Sequence, residues 1–466
     1  MFSVLCTATV FSPQLIRAQT PSHRTAQTNP SASSEATASQ LREAASLLQQ
    51  GRPADAEPIL RRLLLAAPRN SDAHNFLGIV LDQRGQFKDA EREYREALRL
   101  NPNGISPLAN LGVLLARAGR SEEATQAFET VLQKSPDHPQ AILNLGIQYV
   151  VRNDYARALP LLERAVQLNG DSYQLRHNLG LALYHLKRFD QAVVAFQAAA
   201  TLATGSAEPL YYLGLIHWSR QQDEAAAEFW ERAIQLRPNF PEANFMLGEA
   251  LRKNRRTQAA VEFYQRALEQ DSTRFEYYAR LGGAYFVLGR HDRALDVFQR
   301  AAERFPQMAE AHHFVGVAAR AQADYGLAES EFRKSLALRP GNVDTLAQLG
   351  FIVGERDRYD EAEKLLRQAI AVSDQHFYAN YDLGRLLVKS KRYEEALKIL
   401  QHAVTLKPKH AGVHYQLFIA LSRLKQKAEA DRELAIFKQL DEELKTQPQP
   451  GDDLDFESSD APSPRP

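Results

Sequence analysis

One period organises this sequence. A glycine, usually preceded by leucine, stands at Gly78, Gly112, Gly146, Gly180, Gly214, Gly248, Gly282, Gly316, Gly350 and Gly384, always 34 residues after the last and without an insertion. Twelve residues after each glycine comes an alanine, from Ala90 and Ala124 through to Ala362 and Ala396. Sixteen after it the residue is large and apolar, as in Tyr94, Phe128, Leu162, Phe196, Trp230, Tyr264, Phe298, Phe332, Leu366 and Leu400. The frame meets Ala44 and Ala56 when extended backwards, and Phe418 and Ala430 when extended forwards. Three columns held in register over ten copies leave only a repeat architecture.

Each copy reads as two helices. In residues 71–104, Leu77, Gly78 and Leu81 fall at helical spacing, and Gly85 then breaks the chain. A second stripe follows at Ala90, Tyr94 and Ala97, and Asn101-Pro102 ends it. Pro136, Pro238, Pro306, Pro340 and Pro408 take the same stop position, where the missing N–H removes no helical bond. A glycine inside a helix costs about 1 kcal/mol relative to alanine. Repeating that cost in register implies a packing reason: a side chain there would hold the paired helix away. No copy can bury its apolar stripe alone, so each gains stability from its neighbours.

The pattern of Leu-Gly, aromatic, Ala, later Ala and closing Pro resembles the tetratricopeptide repeat (TPR) family. Units begin at residues 37, 71, 105, 139, 173, 207, 241, 275, 309, 343, 377 and 411, the first and last degenerate, and the resemblance covers 37–444. It implies an all-α, right-handed superhelical solenoid of about twelve 34-residue helix-turn-helix repeats, on the order of 100 Å along the stack if helix layers lie about 10 Å apart. The last helix, from about Lys427 to Leu444, is charged on most of one side, as suits a cap with no further repeat.

The two ends differ from the array. Phe2 to Phe11 is a mostly apolar run, Ala18 offers a cleavage point, and a Ser/Thr/Pro/Gln linker follows. Residues 1–36 resemble a secretory signal peptide with its linker, which predicts export to a periplasmic or secreted location. The departures are the lack of a basic residue before Arg17 and Ile16 where a small residue is usual, so a cytoplasmic chain with a polar N-terminus stays open. Residues 445–466 are acidic and Pro-rich and are expected to be disordered. Residues 441–466 carry eight acidic and two basic side chains, the strongest local bias in a chain whose 57 Lys+Arg and 57 Asp+Glu cancel.

That balance argues against a nucleic-acid surface. No apolar run approaches the roughly 20 residues of a membrane span. One cysteine, Cys6, excludes an internal disulfide and multi-cysteine metal sites. Phosphate-loop, H-E-x-x-H, G-x-S-x-G and calcium-loop patterns are missing, so no enzyme activity, cofactor or metal is expected. His312 and His313 are helix neighbours that diverge by about 100°. His177, His185 and His217 lie in successive units and read as surface or groove residues rather than ligands. Asp452, Asp453 and Asp455 read as solvated charges.

In the TPR family the first helix of each unit faces the concave side. The resemblance places its second, fifth, sixth, ninth, twelfth and thirteenth residues in that groove. Positions five and twelve, two turns apart, share a face. They hold His177 and Tyr184, Tyr211 and Trp218, Phe245 and Arg252, Ala279 and Phe286, and His313 and Arg320. Aromatic and arginine side chains are the material of interface hot spots, so this stripe predicts a groove for an extended or helical protein segment. Packing of the same side chains on adjacent first helices is the other reading, and both stay open. Asn110, Asn144 and Asn178 at position six could pair with the backbone of a bound strand or serve the fold. Glu208, Glu242, Glu276 and Glu310 form an acidic column near helix starts, where the helix dipole stabilises carboxylates.

Two family specialisations fit poorly. The chaperone carboxylate clamp needs Lys at position five and Asn at position nine of one unit, and neither column supplies it. Protein-glycosylating relatives carry an asparagine-lined arm, but the asparagine column ends after Asn178 and only 22 residues follow the array. The sequence therefore predicts a non-catalytic scaffold that binds protein or peptide partners. The alternative is a substrate-presenting arm for a separately encoded protein-modifying transferase.

Overall fold

The computed structural model describes residues 32–169 and 171–446, all helix and connecting turn with no strand among them. The apolar run at Phe2–Phe11, the cleavage point at Ala18 and the acidic segment from Gln447 onward lie outside the described residues. The 24 helices, α1 to α24 along the chain, alternate between first and second helices of successive repeats.

Two compact units divide the chain at Ile216. In the N-terminal unit the first helices are α1 (Ala32–Gln49), α3 (Ser71–Gln83), α5 (Ile105–Arg117), α7 (Pro139–Val151) and α9 (Tyr173–His185). Their partners are α2 (Pro53–Ala66), α4 (Phe87–Leu100), α6 (Ser121–Lys134), α8 (Tyr155–Asn169) and α10 (Phe189–Leu202). The division falls inside α11 (Glu208–Ser219). The C-terminal unit holds the first helices α13 (Pro241–Lys253), α15 (Phe275–Val287), α17 (Ala309–Ala321), α19 (Val343–Glu355), α21 (Phe377–Lys389) and α23 (Ala411–Arg423). Its second helices are α12 (Asp223–Leu236), α14 (Thr257–Gln270), α16 (His291–Arg304), α18 (Tyr325–Leu338), α20 (Tyr359–Val372), α22 (Tyr393–Leu406) and α24 (Lys427–Thr446). The helix α1 begins at Ala32, inside the stretch expected to be linker, and α24 runs on to Thr446.

The register glycines have the reason the sequence implies. A Cβ on Gly248 would come within 2.6 Å of Tyr264, and one on Gly180 within 2.6 Å of Phe196. The same near-collision recurs at Gly78 with Tyr94, Gly112 with Phe128 and Gly316 with Phe332. The obstacle is thus the large residue sixteen positions on, which is buried. The alanine column is buried too, from Ala56 and Ala90 to Ala396.

Turns repeat as strictly as helices. Each first helix ends on a residue at left-handed φ, at Gly51, Gly85, Gly119, Asn153, Lys187, Gln221, Arg255, Gly289, Ala323, Asp357, Lys391 and Lys425. Around Gly85 the bonds are Gln86 N to Leu81 O at 2.8 Å and Gly85 N to Asp82 O at 3.0 Å, which satisfy carbonyls the helix end leaves open. At the far end of the second helix, residues such as Asn101 and Arg237 take φ near −131° and −136° before a proline that excludes helical geometry. Three histidines lace first helix to second: His74 Nδ1 lies 2.6 Å from Glu93 and its Nε2 3.1 Å from the Pro68 carbonyl. His312 with Glu331 and Pro306, and His414 with Glu433 and Pro408, repeat the arrangement.

Within each unit successive first helices touch, α1 to α3 through α7 to α9, and α15 to α17 through α21 to α23. No second helix meets the next second helix to a comparable extent. First helices therefore follow the shorter arc and form the inner wall of each unit.

Candidate functional site

In the N-terminal unit the inner wall near α9 and α11 is an aromatic nest centred on Tyr212. Its ring stacks on Phe196 at 5.1 Å and meets Tyr184 edge-on at 5.4 Å and Tyr211 at 5.5 Å. His177 stacks on Tyr173 at 5.5 Å and meets Phe196 and Tyr212 edge-on. Its Nδ1 is buried without a partner. Burial lowers the imidazole to about 4, against a smaller upward pull from Glu208. Burial also pushes the Tyr184 phenol up to about 12. Tyr184 and Tyr211, expected on an exposed stripe, are buried. The sequence column showed their shared face but not the rings that Tyr212 and Phe196 bring over them.

The asparagines are engaged by the fold. Asn110 is buried and donates to Asn75 Oδ1 at 3.0 Å. Asn144 and Asn178 donate to the carbonyls of Gln140 and Gln174, one turn back, each at 2.8 Å. Each of these amide groups carries a second N–H besides the one so used. The acidic column is likewise met from within: Glu242 lies 3.5 Å from Arg274 and Glu310 lies 2.6 Å from Arg339.

In the C-terminal unit the inner wall is more open. Trp218 is half-buried, tilted on Trp230 at 5.9 Å, with Lys253 Nζ 4.6 Å over its ring. Phe245, also half-buried, lies between Tyr264 at 5.8 Å and Tyr277 at 4.9 Å. Arg252 is exposed, but its charge is committed to Glu249 at 3.0 Å, which also takes Arg280 at 3.1 Å and the Tyr264 hydroxyl at 2.5 Å. Phe286 is buried and edge-on to His291 at 4.7 Å, leaving its neighbour Val287 as the side chain that protrudes, 50% exposed. His313 turns away from His312 and meets Thr345 Oγ1 at 2.8 Å, with burial lowering it to about 4.

Of a further cluster on α17, α19 and α21, sequence reasoning singled out only Arg320. The Phe351 ring has the Arg320 guanidinium at 5.2 Å and the Arg385 guanidinium at 4.9 Å. Arg385 pairs with Glu355 at 3.0 Å and lies 3.7 Å from Asp382. Burial pushes the Asp382 carboxyl up to about 6, and Glu355 adds to that, while Arg385, Arg320 and His376 pull it down. Position nine of the repeat holds Phe351 and Arg385; positions five and twelve give only Arg320.

Among the described residues no cluster of His, Cys, Asp or Glu is placed to hold a metal, and no helix is long and apolar enough to cross a membrane.

Comparison with known proteins agrees with this architecture. Tetratricopeptide repeat profiles match residues 41–105, 143–209 and 105–130. The profile of the cilia and flagella-associated protein 70 C-terminal domain, also of TPR type, matches 239–449. This chain is a tetratricopeptide repeat protein. Such repeats are the material of protein-interaction scaffolds. No curated protein matches it. Solved structures similar to it include YrrB, described as a TPR protein with an unusual peptide-binding site, at 23% identity over 40% of this chain and 95% of that one, TM-score 0.37. MamA from Desulfovibrio magneticus RS-1 shares 25% identity over 36% of this chain and 94% of its own, TM-score 0.34. Cut9 with Hcn1, of the APC/C, shares 14% identity over 84% of this chain and 98% of that one, TM-score 0.41.

Proposed function

We propose that this TPR array is a non-catalytic scaffold whose first-helix wall binds an extended or helical segment of a partner protein. The observation that carries the reading is the wall of the C-terminal unit. Trp218, Phe245, Val287 and Phe351 stand there partly open to solvent. Arginine and lysine side chains lie over two of those rings. Aromatic anchors bordered by cations are what alanine scans find at hot spots. The N-terminal wall supports the reading less, because its aromatic nest is packed on itself.

The test is affinity capture from the native cell with wild type beside Trp218→Ala/Phe245→Ala, both checked for the same helicity and melting. Partners held by wild type and lost by the variant support the groove. A variant that keeps every partner, with its fold intact, overturns it. A single stable partner that is a protein-modifying transferase would replace the scaffold with the presenting arm. Export belongs to the same proposal: the captured chain is expected to begin at Gln19, and an intact Met1 in mature protein contradicts it.

A further inference from the structure

Consecutive second helices scarcely touch each other, yet at three seams a closed ring of charge joins them. Between α4 and α6, Glu91 takes Arg95 at 2.8 Å and Arg120 at 2.9 Å, and Glu123 takes Arg120 at 2.6 Å and Arg95 at 3.7 Å. Between α18 and α20, Glu329 takes Arg333 at 2.8 Å and Arg358 at 2.7 Å, while Glu361 takes Arg333 at 2.6 Å and closes on Arg358. Between α20 and α22, Glu363 takes Arg367 at 2.8 Å and Arg392 at 2.6 Å, and Glu395 takes Arg392 at 2.7 Å and Arg367 at 3.3 Å. Each ring alternates two carboxylates with two guanidiniums. A Glu and an Arg four residues apart lie on the earlier helix, and an Arg and a Glu three apart begin the later one.

An exposed ion pair on its own contributes little, because it costs side-chain freedom and is screened by salt. In these rings every member meets two partners, so no side chain is ordered for a single contact. The first carboxylate of each ring is also sheltered: the side chains of Glu91, Glu329 and Glu363 are 25%, 11% and 22% exposed. Burial pushes these carboxyls up, and the arginines more than offset it, leaving each below its ordinary value.

Other seams of the C-terminal unit lack the ring. The column of Glu329 and Glu363 holds Val261 in α14 and Leu295 in α16. Arg290, the counterpart of Arg358 and Arg392, reaches the neutral Gln258 at 2.9 Å. Arg300 pairs within α16, with Asp296 at 3.8 Å. Between α14 and α16 lies a cleft of about 370 Å³, with Gln265 and Leu268 on one side, Arg293 and Arg300 on the other, and Leu281 and Tyr285 of α15 beneath.

We propose that the rings are ionic ties that fix the spacing of second helices at the α4–α6, α18–α20 and α20–α22 seams, while the α14–α16 seam stays free to widen and narrow. Ionic strength is then the control, because salt loosens the ringed seams and leaves the open one as it is. In the C-terminal unit α19 and α21, with Phe351 and Arg385, sit on a fixed part of the inner wall. Helix α15, with Val287, sits on a part that adjusts. The ties stand apart from the proposed binding role, and their test needs no partner.

The test is amide hydrogen exchange on the full chain at roughly 0.05 M and 1 M sodium chloride. Exchange in α6, α20 and α22 is expected to be about three- to fivefold faster at high salt. Helix α16 should not change, and it serves as the control inside the same molecule. Glu329→Gln at low salt should speed α20 by a similar factor, remove its salt response and leave α6 as in wild type. Valine and leucine at the same repeat position in α14 and α16 show that the fold does not require a carboxylate there. Glu361→Gln, on the later helix, should act on α20 in the same way. An equal salt response in α16 and α20 overturns the proposal. So does a salt response in α20 that survives both substitutions, or an α20 that responds to neither salt nor substitution.

Discussion

Two glycines that look alike in the sequence have opposite roles. Gly248 faces Tyr264, whose ring is buried and pinned through its hydroxyl to Glu249 at 2.5 Å, so the ring cannot give way. Gly248→Ala should destabilise the fold by about 1–2 kcal/mol, the overpacking penalty less the helix-propensity gain. Gly354→Ala meets no such ring and should stabilise by about 0.5–1 kcal/mol. Chemical denaturation of the two variants separates packing from permissiveness; the same sign for both would contradict the structure. The left-handed turn residue gives a second test. Ala323 has φ 59°, where a Cβ strains the backbone by about 1 kcal/mol. Ala323→Gly should raise stability by several tenths of that or more, and Gly85→Ala should lower it.

Titration supplies two further residue-scale predictions of opposite sign. Asp382 has its carboxyl raised to about 6 in the fold, by burial first. Its contribution is therefore present below its ordinary value near 3.9 and is lost as pH rises through about 6. Asp382→Asn should match wild type near pH 4 and exceed it at pH 7, on the order of 2 kcal/mol, by thermal or urea melts at each pH. His177 is lowered to about 4, again by burial, so its contribution is present above pH 6.5 and fades as pH falls toward 4. Its imidazole resonances should report a neutral ring down to about pH 4; titration near 6.5 would place the ring in water.

At the scale of the helix pair, most of the architecture was legible in the sequence. The glycine, alanine and large apolar columns place both helices, their turn and their shared core, because each contact lies within one 34-residue copy. The twelve turns follow too, although only four of them use glycine and the other eight force a side-chain-bearing residue to left-handed φ. What could not be read was which first-helix side chains stay open. Tyr184 is covered by Tyr212 from the next repeat, and Arg252 is neutralised by Glu249 three residues earlier on its own helix. Asn144 and Asn178 turn their donors back onto their own helix. A column of residue types records a shared face; exposure depends on the size and charge of neighbours one repeat away, which vary from copy to copy.

At the scale of the whole molecule, each unit is a row in which a repeat is stabilised chiefly by its immediate neighbours. Among the described residues the end copies have one neighbouring repeat, so hydrogen exchange should be fastest in α1, α2 and α24 and slowest in helices with repeats on both sides, such as α17 and α18. The central claim is that partners meet the wall of first helices. It is tested most directly by placing a photo-crosslinking residue at Val287, on the inner wall of α15, or at Val372, on the second helix α20 and 58% exposed. Irradiation in the native cell should join a partner to the chain at position 287 and not at 372. Equal crosslinking at both positions, or crosslinking at 372 alone, would contradict the account.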